Sequence, residues 1–332
     1  MSYEFFVVFS IVIFSINIIL LSMVINDFIN TQNSIFIGCS AVFASSFSIV
    51  FLSHTVGYFD HIGLLISLIT LKINGFYKKL LFSSLFIPLA VLIHEAIFII
   101  FFPVIFMSLL FSIEPEEQTK KILMLGGWTV TLLILVVVIA NFTLQQSEAH
   151  EMYIRLQAEV AHPLREDAFD VLVRDLNDNF NIMKNLQTNN YFIRLSKSFL
   201  ITAPTFLVFI YFTSLTLKQA GAKFYFIVLA ILASLSPLVM HLWGWDIYRW
   251  NTLTGTVSFL MLSVAYTTNK NQPIETPNYM FLIVISVIIL NGMSSIPLFD
   301  NYYVKQFPFL EHWQYLIDLI GGKATFPYVP SR

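Results

Sequence analysis

The sequence predicts an all-α fold: a polytopic integral membrane protein of about 9–10 transmembrane helices with one long outer-face helical loop. Three observations carry this. Hydrophobic residues make up 57% of the chain and charged residues 11%, proportions too apolar for a water-soluble globule. The apolar residues gather into windows of about 15 to 22, long enough for a hydrocarbon core of roughly 30 Å. Only residues 144–198 interrupt the succession with a sustained charged stretch.

The windows fall near 5–25, 35–53, 56–71, 80–113, 122–143, 199–217, 224–242, 253–266 and 279–298. The first follows Met1-Ser2-Tyr3-Glu4, which lacks the basic region and small-residue cleavage site of a secretory signal, so it is expected to be a retained span. The window 80–113 is different. It holds 34 residues from Leu80 to Ile113, about 51 Å as one helix, too long for a single straight crossing. Two short antiparallel or re-entrant helices are expected instead, turning near His94-Glu95, with Pro88 and Pro103 kinking either side. The whole chain is expected to form one transmembrane domain, 1–332, carrying 144–198 as an amphipathic extracytoplasmic loop. Within that loop Pro163 is placed to open a helix, and Leu164, Ala168, Leu172 and Leu176 repeat every four residues as an apolar stripe.

Basic residues of short loops stay cytoplasmic. If 80–113 crosses twice, Lys72, Lys78, Lys79, Lys120, Lys121, Lys218, Lys223 and Lys270 share one side, and the short loops opposite hold only Arg249. Lys305, Lys323 and Arg332 in the tail count against this orientation. It puts the N-terminus, the 144–198 loop and the tail outside. A net charge of −2 gives no footprint for nucleic acid, and the single cysteine, Cys39, can form no internal disulfide.

On this topology the polar constellations all land on the outer face. Asp60 and His61 follow Gly57-Tyr58-Phe59 about one turn inside a span. His94 and Glu95 are the only ionisable residues of an otherwise apolar run, where such groups are costly and presumptively functional. Asp246 and Arg249 sit among Trp243, Trp245 and Trp250, and the loop adds Arg165 and Arg174. Each has an ordinary structural explanation: an interfacial aromatic belt with a snorkelling arginine, a helix cap or buried hydrogen bond, or solvated loop ion pairs. Taken jointly they fit one device. A carboxylate beside a histidine can take a proton from a hydroxyl, and arginine suits a phosphate or diphosphate leaving group. A lipid phosphate would lay its tail among the spans and its head in the outer pocket. Position 98 is Phe98, so the zinc-protease spacing is absent, and neither a Gly-rich phosphate loop nor a cysteine cluster occurs. No cofactor and no metal are expected. A transporter with broken helices stays open, although no inverted repeat is visible.

Span number, the Gly57-Tyr58-Phe59-Asp60-His61 segment, Ile93-His94-Glu95-Ala96, the outer loop and Trp245-Asp246-Ile247-Tyr248-Arg249-Trp250 together resemble the bacterial polymerases of O-antigen, capsule and exopolysaccharide, including the EpsG-like group. More loosely they resemble multi-span glycosyltransferases of the GT-C class. The chain lacks the acidic motif those enzymes carry in the first outer loop. The resemblance implies a multi-pass protein of the bacterial inner membrane that joins undecaprenyl-diphosphate-linked repeat units at the outer face. It also implies a polyprenyl-linked glycan substrate, the lipid bilayer, and glycan export and chain-length proteins as partners. The expected roles are Glu95 or Asp60 as general base, with His94 and His61 beside them. Arg249, Trp245, Trp250, Arg165 and Arg174 would contact substrate, and Asp246 would hold Arg249. Two alternatives remain: a GT-C-like enzyme adding one sugar from a polyprenyl phosphate, and a carrier or flippase for a lipid-linked or anionic solute.

Overall fold

The computed structural model describes residues 3–114, 117–159, 164, 166, 169–244, 246–268, 277, 279–298, 302–305, 317, 318 and 320–323. It is an all-α polytopic membrane protein, and each expected window contains a helix. The succession begins with α1 (Tyr3–Asn30), α2 (Ser34–Ala44), α3 (Phe47–His54) and α4 (Asp60–Lys72). It continues with α5 (Phe76–Ile93), α6 (Ala96–Leu110) and α7 (Gln118–Ala140). The loop carries α8 (Gln146–Glu159), a 3-10 turn over Asp170–Val173 and α9 (Leu176–Leu186). Then come α10 (Asn189–Gln219), α11 (Phe224–Leu235) running into a 3-10 segment (Ser236–Leu242), α12 (Ile247–Thr268) and α13 (Tyr279–Met293). Among the described residues, five helices are long and apolar enough to cross a membrane, or six if the bent pair α2–α3 counts as one span.

Helix α12 is the axis of the bundle. Of its 22 residues 18 are buried, so it is surrounded on all sides by other helices and not by lipid. Its Ser, Thr and Gly content lets neighbours approach closely. Several of the hydroxyls are satisfied within the helix, as when Thr252 Oγ1 donates to Tyr248 O at 2.7 Å and Thr254 Oγ1 to Trp250 O at 2.8 Å, while Ser258 Oγ reaches Ser234 O of α11 at 3.3 Å. Phe259 stacks on Phe43 at 4.1 Å and meets Phe28 and Phe209 edge-on, which ties α1, α2 and α10 to the axis. By contrast α7 is only 11% buried across its apolar window, so most of its apolar side chains face away from the bundle.

The long apolar run folds as expected. Helices α5 and α6 meet at His94-Glu95 and run antiparallel, because Lys79 Nζ near the start of α5 donates to Ser108 Oγ near the end of α6 at 2.7 Å. Other expectations need correction. The window 35–53 is not one helix: Ser45 and Ser46 break it, and α2 and α3 diverge by 45°. Each serine hydroxyl turns back to a carbonyl of α2, Val42 O and Phe43 O respectively, offering the backbone an alternative to continuing the helix. The loop helix does not run through Leu172 and Leu176 as one stripe. Asp175 starts α9 with a capping box, Asp178 N donating to Asp175 Oδ1 at 2.8 Å and Asp175 N to Asp178 Oδ2 at 3.2 Å. Pro163 and Ala168 lie outside the described residues. The loop also ends earlier than 198, since α10 begins at Asn189. The last window stops at Met293, followed by a short hairpin, β1 (Ser295–Leu298) antiparallel to β2 (Tyr302–Lys305).

The two ends of the bundle differ in charge. Lys72 closes α4, Lys78 and Lys79 open α5, Lys120 and Lys121 open α7, Lys218 closes α10 and Lys223 precedes α11. Lys72 pairs with Asp27. Lys121 pairs with Glu117 at 3.1 Å and lies 5.3 Å from the Tyr77 ring centroid. The opposite ends of α4 and α5 carry Asp60, His94 and Glu95, and the start of α12 brings Arg249 to the same side.

Candidate functional site

At the lysine-poor end three segments distant in sequence converge. Gly57 takes φ +97°, a left-handed turn that glycine adopts without steric cost, and its Cβ would sit 3.4 Å from the Phe6 ring. That turn presents Tyr58 and Phe59 and starts α4 at Asp60. Arg249, on the first turn of α12, reaches across to Asp60: Nε donates to Oδ2 at 2.9 Å and Nη2 to Oδ1 at 3.1 Å. Both side chains are almost wholly buried, 8% and 2% exposed. Nη1 also donates to Asp246 Oδ2 at 3.3 Å. The guanidinium carbon lies 4.6 Å from the Trp250 ring centroid and 5.2 Å from that of Tyr58, so the planar cation is held by carboxylates and by aromatic rings.

His94 joins this group through Phe59, its ring meeting the phenyl edge-on at 5.3 Å. His94 caps α5 with extended backbone, and its Nδ1 accepts the Ala96 amide at 3.2 Å. That nitrogen is thereby an acceptor, and a neutral ring carries its hydrogen on Nε2. Glu95 Oε2 lies 3.5 Å from the same Nδ1 and its side chain is 40% exposed. Unlike Asp60 and Asp246, Glu95 is not held by the guanidinium.

Behind the cluster lies a buried polar network. His61 is 2% exposed and faces α1: Asn17 Nδ2 donates to His61 O at 2.9 Å, the ring lies edge-on to Phe14, and Thr55 Oγ1 is 3.4 Å from Nε2. Its burial between α1 and the α3–α4 turn gives His61 a packing role, not contact with substrate. Asp60 is also unsuited to the general-base role expected of it, since both its oxygens are held by a buried guanidinium. On the other side of α12, His241 Nε2 lies 3.0 Å from Asn251 Oδ1 and its Nδ1 3.2 Å from Tyr191 Oη, while Asn251 Nδ2 donates to Ser198 Oγ at 2.8 Å. Asn251, Ser198 and Tyr191 were not singled out from sequence. The available signal was an asparagine in an apolar window ten residues from a histidine.

The loop arginines do not join the cluster where they are visible. Arg174 Nη2 pairs with Asp170 Oδ2 at 3.3 Å, and among the described residues no contact links it to Arg249. Arg165 and Trp245 lie outside the described residues. Among those described, no group of three or more His, Cys, Asp or Glu side chains is arranged to hold a metal ion.

Fold and site define a polytopic α-helical membrane protein with a buried carboxylate–guanidinium network at one end and a half-buried His-Glu pair beside it. No protein-family model, curated protein or solved structure matches the chain.

Proposed function

We propose that the chain is a glycosyltransferase of the polysaccharide-polymerase type. It joins polyprenyl-diphosphate-linked repeat units at the outer face of a bacterial inner membrane. The observation that carries this reading is the meeting of residues 58–61, 94–95 and 246–250 through the Arg249–Asp60 pair and the Phe59–His94 contact. On one side the site is bordered by the end of α5, whose apolar window is only 33% buried, which suits a substrate with a hydrocarbon tail and a polar head. The lysines cluster at the opposite end, which favours an outward-facing site. In the proposed step Glu95 takes the proton of the acceptor hydroxyl, that oxygen bonds to the donor's anomeric carbon, and the bond from that carbon to the diphosphate oxygen breaks. His94 orients the acceptor and Tyr58, 40% exposed, offers a face to the sugar, whereas Trp250, 3% exposed and packed on Arg249, is too buried for the substrate contact expected of it.

A strain lacking the gene, complemented with wild type or Glu95→Gln at equal membrane abundance, tests this. A ladder of glycan lengths that collapses to one repeat unit, restored by wild type alone, is the expected result. Full restoration by Glu95→Gln would overturn the base assignment, and an unchanged ladder in the deletion strain would overturn the polymerase.

The α2–α3 break favours one second reading, a carrier or flippase, because discontinuous helices are how many carriers build midplane sites. Reconstituted liposomes separate the two: a carrier moves solute without altering it, while a transferase changes the glycan.

A further inference from the structure

The α2–α3 break faces a small cavity, distinct from the cluster above, lined by Ser46, Ser48, Thr202, Thr205, Asn251 and Thr252 together with Phe47 and Gly255. It admits about one water-sized guest. The hydroxyls of its lining are one-sided in their chemistry, with the Asn251 amide the remaining donor. Ser48 Oγ donates to Thr252 O at 2.8 Å, Thr202 Oγ1 to Ser198 O at 2.9 Å, Thr205 Oγ1 to Asn291 Oδ1 at 3.1 Å and Thr252 Oγ1 to Tyr248 O at 2.7 Å. Ser46 Oγ donates to Phe43 O, and one Asn251 Nδ2 hydrogen goes to Ser198 Oγ. Each lining hydroxyl has thus committed its hydrogen to a protein acceptor, and what it can offer a guest is lone pairs.

The space also depends on Gly255. A Cβ there would lie 2.5 Å from Ser48 Oγ and 3.7 Å from Thr205 Cγ2. One helical turn before Thr252, two carboxylates share one guanidinium, leaving an excess negative charge on Asp60, Arg249 and Asp246. We propose that the α2–α3 break holds a monovalent cation of sodium size, bound by the neutral oxygens of Ser48, Thr202, Thr205 and Thr252. The lining contains no carboxylate, which disfavours a divalent ion, since magnesium and calcium draw on anionic oxygens. The proposal does not depend on the transferase reading, because a resident cation can brace the broken helix against α10 and α12 in an enzyme as well as in a carrier.

The test is thermal unfolding of the purified full chain in detergent, in sodium, potassium or choline chloride at equal ionic strength. The expected result is a saturable rise in Tm with sodium that choline does not give. Thr205→Val and Gly255→Ala should each weaken apparent sodium affinity about tenfold or more, at least the loss seen when an outer-shell partner of a metal is removed. Wild-type Tm values that coincide in sodium and choline would overturn the proposal and leave an ordered water as the occupant. A sodium-specific rise that both variants keep in full would also overturn it, by placing the ion elsewhere. If either variant fails to fold, binding of radioactive sodium to the wild type decides: one ion per chain supports the site, and none overturns it.

Discussion

Replacing Arg249 with alanine should destabilise the bundle more than any other single truncation at the lysine-poor end. The guanidinium makes two hydrogen bonds to Asp60, at 2.9 and 3.1 Å, and a third to Asp246 at 3.3 Å. Asp60 is 2% exposed, so its carboxylate has little access to water once the arginine is gone. Breaking a buried pair from one side costs about 3–5 kcal/mol, mostly because the remaining charge is stranded. Removing Asp60 instead should cost less, because Arg249 keeps Asp246, which is 30% exposed on its side chain and can admit water. The double variant Asp60→Ala/Arg249→Ala should recover part of the loss, with a coupling of about 0.5–3 kcal/mol. Unfolding in detergent, followed by tryptophan fluorescence, reads these differences as a shift in Tm of about 4–7 °C for the arginine variant. An Arg249→Ala protein that melts with wild type, or a double variant whose loss equals the sum of the singles, would refute the claim that this pair anchors α4 to α12.

Three further outcomes are expected. Gly63→Ala should cost about 1–3 kcal/mol by overpacking, since its Cβ would lie 2.3 Å from Phe101 Cδ2, and a second change, Phe101→Leu, should relieve part of it; a Gly63→Ala Tm equal to wild type would show that α4 and α6 separate freely. Asn251→Leu should strand both His241 and Ser198, at about 1–3 kcal/mol per group left without a partner, and hydrogen exchange of the His241 segment would report the loosening. In a Cys39→Ala background, a cysteine placed at Lys223 should react with impermeant maleimide only from the cytoplasm and one at Gln187 only from outside; the reverse pattern would invert the proposed orientation.

Apolar window length located the helices, because lipid imposes nearly the same requirement on every span. It missed the Ser45-Ser46 break, since two serines in an apolar stretch alter mean hydropathy little, and their effect comes from hydroxyls turned onto Val42 O and Phe43 O. Sequence also shortened α12 to 253–266, because the helix owes its burial to surrounding helices and can carry polar residues from Arg249 onward. At the site, the cost of ionisable groups in an apolar run marked Asp60, His61, His94, Glu95 and Arg249 individually. Which of them pair is set by tertiary approach: Asp60 and Arg249 are 189 residues apart, and no local pattern links them. Adjacency in sequence also misled, since Asp60 and His61 are neighbours whose side chains face different helices.

The charge balance of the assembled site redistributes the proposed roles. Asp60, Asp246 and Glu95 outnumber the one arginine among them. Three of the five guanidinium hydrogens are already spent, and the cation is compensated by its own carboxylates. Such a group is poorly suited to attract a diphosphate, although it holds the Gly57–Asp60 turn rigidly against α12. Arg249 is therefore better read as the brace that fixes Phe59, and through it His94, than as the ligand of the leaving group. The half-exposed carboxylate of Glu95, with Oε2 3.5 Å from His94 Nδ1, is the one carboxylate of the site that Arg249 does not hold, and so the group best placed to meet an incoming hydroxyl.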